Sequence, residues 1–182
     1  MSGSVRVWDP LVRIGHWSLV AAVAVAWITG DEWQSTHEVA GYVAATVVAL
    51  RILWGFAGSR HARFSDFVRG PAAVLAYARG MLRGRKQRYL GHNPAGGVMI
   101  LALIATVMAL GLTGWLATTD RFWGSEWLEE SHEALANLLL VLIALHLGGV
   151  LLGSIRDGEN LVRAMITGRK RSPGLGPTAD AG

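Results

Sequence analysis

Four stretches of this chain, roughly 10–30, 38–57, 94–118 and 131–153, are each long and apolar enough to cross a lipid bilayer, and this constrains the fold more than any other feature. About 20 helical residues span a hydrocarbon core of roughly 30 Å. Within that core every backbone polar group must be paired internally, so spans of this kind cross as helices. Of the 182 residues, 52 % are hydrophobic and 16 % charged, too apolar for an ordinary soluble domain of this size. The first run has the position of a signal peptide, but no small-residue cleavage site follows Gly30 before Asp31 and Glu32, so it is expected to remain as a helix. The expected fold is an all-α, four-transmembrane-helix bundle over residues 1–170. A disordered tail is expected over 171–182, where Ser172, Pro173, Gly174, Gly176 and Pro177 cluster.

Charge sets the expected topology. Basic residues gather in 58–93, from Arg60 to Arg88 with Lys86 among them, and again beyond Ile155. The segments around 31–38 and 118–133 hold one basic residue, Arg121, against eight acidic ones that include Asp31, Glu38, Asp120 and Glu133. Basic loops stay on the cytoplasmic side, so both termini are expected in the cytoplasm of a bacterial cell, with the chain in its inner membrane. The net charge of +4 then reflects topology and membrane lipids, and no nucleic-acid partner is expected. Within the basic loop, Phe64, Phe67, Val74, Leu75, Tyr77, Met81 and Leu82 recur at roughly helical spacing. They predict an amphipathic interfacial helix between the second and third spans, interrupted at Gly70-Pro71. Trp8, Trp33, Trp54, Trp115, Trp123 and Trp127 lie near the ends of the apolar runs, where tryptophan anchors at the headgroup level. Thr36 and Ser131 are expected to cap the second and fourth spans, and Asn93 with Pro94 to open the third.

The chain has no cysteine, which excludes disulfides, thiolate metal sites, iron–sulfur clusters and thioether-linked haem. Histidine inside a membrane helix is costly when it is neither paired nor ligating, so each one marks a candidate site. His132 and His146 are fourteen residues apart on the fourth span, about 1,400° of rotation, which places them on nearly one face and roughly 21 Å apart. His16, near the start of the outward-running first span, is level with His146. His37, at the start of the returning second span, is level with His132. Neutral imidazole is a haem-iron ligand, and helix bundles hold cofactors between facing side chains. Two pairs predict two non-covalent haems b: His16 and His146 on the cytoplasmic side, His37 and His132 on the periplasmic side. Hydrogen bonding across helices is the alternative for any one histidine taken alone.

A zinc or copper ion between His37 and His132 would leave the other pair unexplained, and neither His37-Glu38 nor His132-Glu133 continues to the second histidine of HExxH. A small transporter would require broken helices around a midplane site. Gly15, Gly41, Gly111, Gly114 and Gly148-Gly149 would admit a flat macrocycle or serve close helix packing. Arg51 lies deep enough to require a partner, either a haem propionate or, by snorkelling, the headgroups. His61 reads as a solvated loop residue, and no residue is assigned a catalytic role.

Several motifs together resemble the prokaryotic cytochrome b561 family, which includes the b-type cytochrome subunits of membrane-bound hydrogenases. They are Val7-Trp8-Asp9-Pro10 followed by Arg13 and His16-Trp17; His37-Glu38-Val39-Ala40-Gly41-Tyr42; Arg51-Ile52-Leu53-Trp54-Gly55; Gly91-His92-Asn93-Pro94; His132-Glu133; and His146. The resemblance covers about residues 5–170. It implies two b haems on the same four histidines, electron exchange with quinone or quinol, and a periplasmic partner such as a c-type cytochrome or hydrogenase-like enzyme. His92 would then meet a propionate or a quinone. The compact outer loops bring the chain closer to stand-alone quinone-linked members, some of which oxidise superoxide, and leave assembly as a homodimer open.

Overall fold

The computed structural model describes residues 3–85 and 88–172, so Lys86 and the tail from Pro173 onward lie outside the described residues. Among the described residues, four helices are long and apolar enough to cross a membrane: α1 (Pro10–Thr29), α2 (Gln34–Ala57), α5 (Pro94–Ala117) and α6 (Glu126–Asp157). Between α2 and α5 the basic loop folds into a 3-10 turn (Arg60–Ala62), α3 (Phe64–Phe67) and α4 (Pro71–Leu82), the last two separated at Gly70. After α6 come α7 (Leu161–Thr167) and strand β2 (Arg169–Arg171), which pairs antiparallel with β1 (Ser4–Arg6).

Local chemistry explains most helix boundaries. Asp9 caps α1 ahead of Pro10, and Asn93 caps α5 ahead of Pro94, each side chain accepting a backbone N–H three residues on. α6 stops at Gly158, whose left-handed φ of 58° suits glycine. Two expected caps are corrected. α2 starts at Gln34 and α6 at Glu126, so Thr36 and Ser131 lie inside their helices. The Ser131 hydroxyl donates to the Trp127 carbonyl one turn back, and Glu126 and Glu129 favour the earlier start through the helix dipole.

α1 packs on α2, α2 on α5, and α5 on α6, whereas α6 otherwise packs chiefly on α7. At mid-height a core of Ala22, Ala44, Val48, Val107 and Leu139 joins all four long helices. Leu139 falls midway between His132 and His146, so this apolar plug separates two levels of the bundle. Most other apolar side chains of these helices, Ile28, Leu53, Val141 and Leu151 among them, are exposed on the chain's own surface, as lipid contact requires.

The small sheet was not legible in the sequence, because three-residue strands carry no periodicity. It ties both ends of the chain together: the N–H groups of Val7 and Trp8 both donate to the Gly168 carbonyl, at 2.8 and 3.2 Å. Trp8 is therefore 5 % exposed, a buried residue instead of an interfacial anchor. Trp54 is likewise engaged, donating to Asp9 at 3.1 Å.

Asp9 holds three segments together. One carboxylate oxygen accepts the Val12 N–H at 2.9 Å, and the other accepts Trp54 Nε1 and the Ser59 hydroxyl. Burial alone would raise its pKa, but the bonds from Ser59, Val12 and Trp54 hold it below the ordinary 3.8. The stability they contribute is present above the unfolded value and is lost as pH falls through the folded one. Asp9→Ala is expected to cost about 2 kcal/mol at neutral pH and to flatten the acid limb of stability. Thermal unfolding in detergent across pH checks both.

Candidate functional site

The four span histidines lie on three of the long helices. His16 is on α1, His37 on α2, and His132 and His146 on α6, each partly buried. Because α6 packs mainly on α5, its two histidines look across towards α1 and α2 over a space closed at mid-height by Leu139 and its neighbours.

His37 and His132 face each other at the end of the bundle that carries the short acidic loops, with ring centroids 6.0 Å apart and planes at 70°. Two metal–nitrogen bonds of about 2 Å, plus the reach of each ring, place the centroids of trans imidazoles about 6 Å apart. Both rings are already oriented. His37 Nδ1 is 2.8 Å from the Ala26 carbonyl, which can only accept, so Nδ1 carries the proton and Nε2 is the free donor. His132 Nδ1 is 2.8 Å from Thr113 Oγ1. That hydroxyl lies within reach of the Ala109 and Leu110 carbonyls, at 3.0 and 3.2 Å, so its hydrogen is directed there and its oxygen accepts from the imidazole. Thr113 is a site residue that sequence reasoning missed, since nothing local marks a partner nineteen residues away. Gly114 leaves room for the ring: a Cβ there would lie 3.3 Å from His132 Cε1.

The basic end is built differently. His16 and His146 both lie at this end. Among the described residues, the fully buried side-chain nitrogen and oxygen atoms without a hydrogen-bond partner are His16 Nδ1, Arg13 Nε, Arg51 Nη1 and His92 Nδ1, all at this end. Orphaned buried polar groups each cost about 1–3 kcal/mol, so four together indicate a site completed by acceptors from outside the chain. A flat group with carboxylates on one edge fits that demand.

Arg51 is engaged within the chain: Nη2 donates to the Ala62 carbonyl at 3.0 Å and the guanidinium lies over Phe64 and Phe67, 5.6 and 5.9 Å from their centroids. His92 is stacked between Trp8 and Phe67, at 4.5 and 5.0 Å. Burial first, then the charges of Lys170 and Arg51 with His146 and His61, push it down to about 3, so it is neutral at pH 7. Lys170, also missed in the sequence, is buried because β2 lays its ammonium over the Trp8 ring at 5.6 Å. Phe64 and Phe67, expected on a membrane-surface helix, instead pack inward, with Phe67 1 % exposed. His61 is not solvated: its Nδ1 pairs with Asp66 at 3.0 Å. Among the glycines, Gly111 serves helix packing, since a Cβ there would lie 2.9 Å from that of Ala45, whereas Gly41, Gly148 and Gly149 border open space. No group of three or more potential metal ligands gathers among the described residues, as a tetrahedral zinc site would require.

Paired histidines between long apolar helices define a class: multi-pass membrane proteins that carry a metal cofactor in a helix bundle. The chain belongs to the prokaryotic cytochrome b561 family, whose model matches residues 7–168. It is a membrane b-type cytochrome, and the family implies haem b. Curated relatives are each described as a probable Ni/Fe-hydrogenase B-type cytochrome subunit. The relative from Rhodobacter capsulatus is 22 % identical over 92 % of this chain and 81 % of its own length. Those from Bradyrhizobium diazoefficiens and Cupriavidus necator are 24 % identical, over 92 and 89 % of this chain and 86 and 85 % of theirs. No solved structure matches the chain.

Proposed function

We propose that the chain holds two haems b and transfers electrons across the bacterial inner membrane between the quinone/quinol pool and a redox partner. The observation that carries this reading is the His37–His132 pair: two rings 6.0 Å apart, each with Nδ1 already tied to an acceptor, so that two Nε2 atoms remain for one metal. Haem held by these histidines would supply a one-electron iron couple. His16 and His146 would hold the second haem, and Arg51 and His92 would offer their unpartnered nitrogens to propionates or a quinone. The mid-height plug of Val48, Val107 and Leu139 keeps water out between the levels.

The basic loop and both termini face the cytoplasm in this reading, because the basic residues lie at that end. α4, which has no buried residue, would lie on the inner surface. The names of the relatives favour a hydrogenase-like partner, and a periplasmic c-type cytochrome would serve equally. A stand-alone quinone-linked oxidoreductase acting on a small periplasmic substrate such as superoxide is the second reading. It is favoured by the short connections at the acidic end, residues 30–33 and 118–125.

A pyridine haemochrome assay with a reduced-minus-oxidised spectrum on purified protein is expected to give about two haems b per chain. Well-folded protein without haem would overturn the proposal. Quinone reduction by superoxide in the same preparation would favour the second reading over the first.

A further inference from the structure

The two histidine pairs differ in what lies behind the ligands. At the acidic end both Nδ1–H groups have strong acceptors: the Ala26 carbonyl for His37 and the Thr113 hydroxyl for His132, each at 2.8 Å. At the basic end His16 Nδ1 is buried with no hydrogen-bond partner among the described residues. A hydrogen bond donated by Nδ1 raises the basicity of Nε2, and a more basic axial ligand favours the oxidised metal. This difference in acceptors sets the two sites apart.

We propose that Thr113 is a positioning residue that lowers the reduction potential at the His37–His132 site below that at the His16–His146 site. The inference rests on the di-haem reading. Its electron balance is simple: a haem held there would take one electron from quinol, or from the reductant in a titration, and the His132 Nδ1 proton stays in place in both states. Thr113 suits this role because its own hydrogen is directed to the helix carbonyls of Ala109 and Leu110. Its oxygen therefore presents lone pairs to His132, and the absence of a side chain at Gly114 lets the ring approach.

The experiment is an optical redox titration of full-length, haem-loaded protein, with bands assigned from His37→Ala and His16→Ala variants. Wild type is expected to titrate in two waves, the lower one belonging to the His37–His132 haem. Thr113→Val keeps the shape and removes the acceptor, and is expected to raise that wave by a tenfold change in its equilibrium, about 59 mV for one electron. The other wave should stay in place, and Thr113→Ser should restore the wild-type value. Thr113→Ala removes the hydroxyl without adding a methyl and should give the same shift, which covers a valine that packs badly. Two haems bound with no shift in Val and Ala, equal shifts of both waves, or the reverse order of waves would overturn the inference and leave the di-haem reading standing. Folded wild type that binds no haem would remove that reading itself.

Discussion

Replacing His37 or His132 by alanine is expected to abolish one and the same haem, and replacing His16 or His146 to abolish the other, each variant falling from about two haems per chain to about one. The effect should be near-complete at the altered site. Changes behind a ligand already cost roughly 10–100-fold in affinity, and removing the ligand costs more. The proposed pairing is supported for His37 and His132 by rings 6.0 Å apart, and for His16 and His146 by their matched depth. The fold should survive. His132→Ala leaves Thr113 bonded to its own helix carbonyls, and no charge becomes unpaired. Haemochrome stoichiometry and the reduced-minus-oxidised band shape of the four variants check this. Loss of both haems in every variant with helicity intact would show that the two sites do not form independently, and a 16–37 grouping would contradict the assignment.

The second large effect is expected in the pH dependence of stability. His92 titrates near 6.5 when unfolded and at about 3 in the fold, where burial and then Lys170 and Arg51 oppose its charging. Between those values the unfolded chain binds more protons than the native one, so stability rises with pH. The contribution is complete above pH 6.5 and is lost as pH falls toward 3, at up to about 1.4 kcal/mol per pH unit. His92→Phe retains an aromatic ring between Trp8 and Phe67 and removes the titration. Its unfolding temperature should therefore fall much less between pH 7 and 5 than that of wild type. Identical slopes in the two proteins would assign the acid sensitivity to another group.

The residues that were legible in advance and those that were not differ in one physical respect. The spans, the basic and acidic ends, the caps at Asn93 and Pro94 and the shared face of His132 and His146 depend on contiguous residues and on the helix repeat. The expected cap at Ser131 failed because its hydroxyl satisfies itself on the preceding turn, and the one at Thr36 because α2 already begins at Gln34. Arg51 was recognisable as needing a partner, but the Ala62 carbonyl and the Phe64 and Phe67 rings reach it only because α3 folds back against α2.

By itself, then, the sequence determined that this chain has four stretches long and apolar enough to cross a membrane, with histidines spaced along them, since hydropathy and a 3.6-residue period are written along the chain. Only the tertiary structure decided which atoms stand behind those histidines. It set Thr113 behind His132, Ala26 behind His37 and no acceptor behind His16, and it brought Lys170 from the far end of the chain onto Trp8 beside His92. The physical reason is that a hydrogen-bond or ring partner is chosen by distance in space, which the folding of distant segments sets and local composition does not.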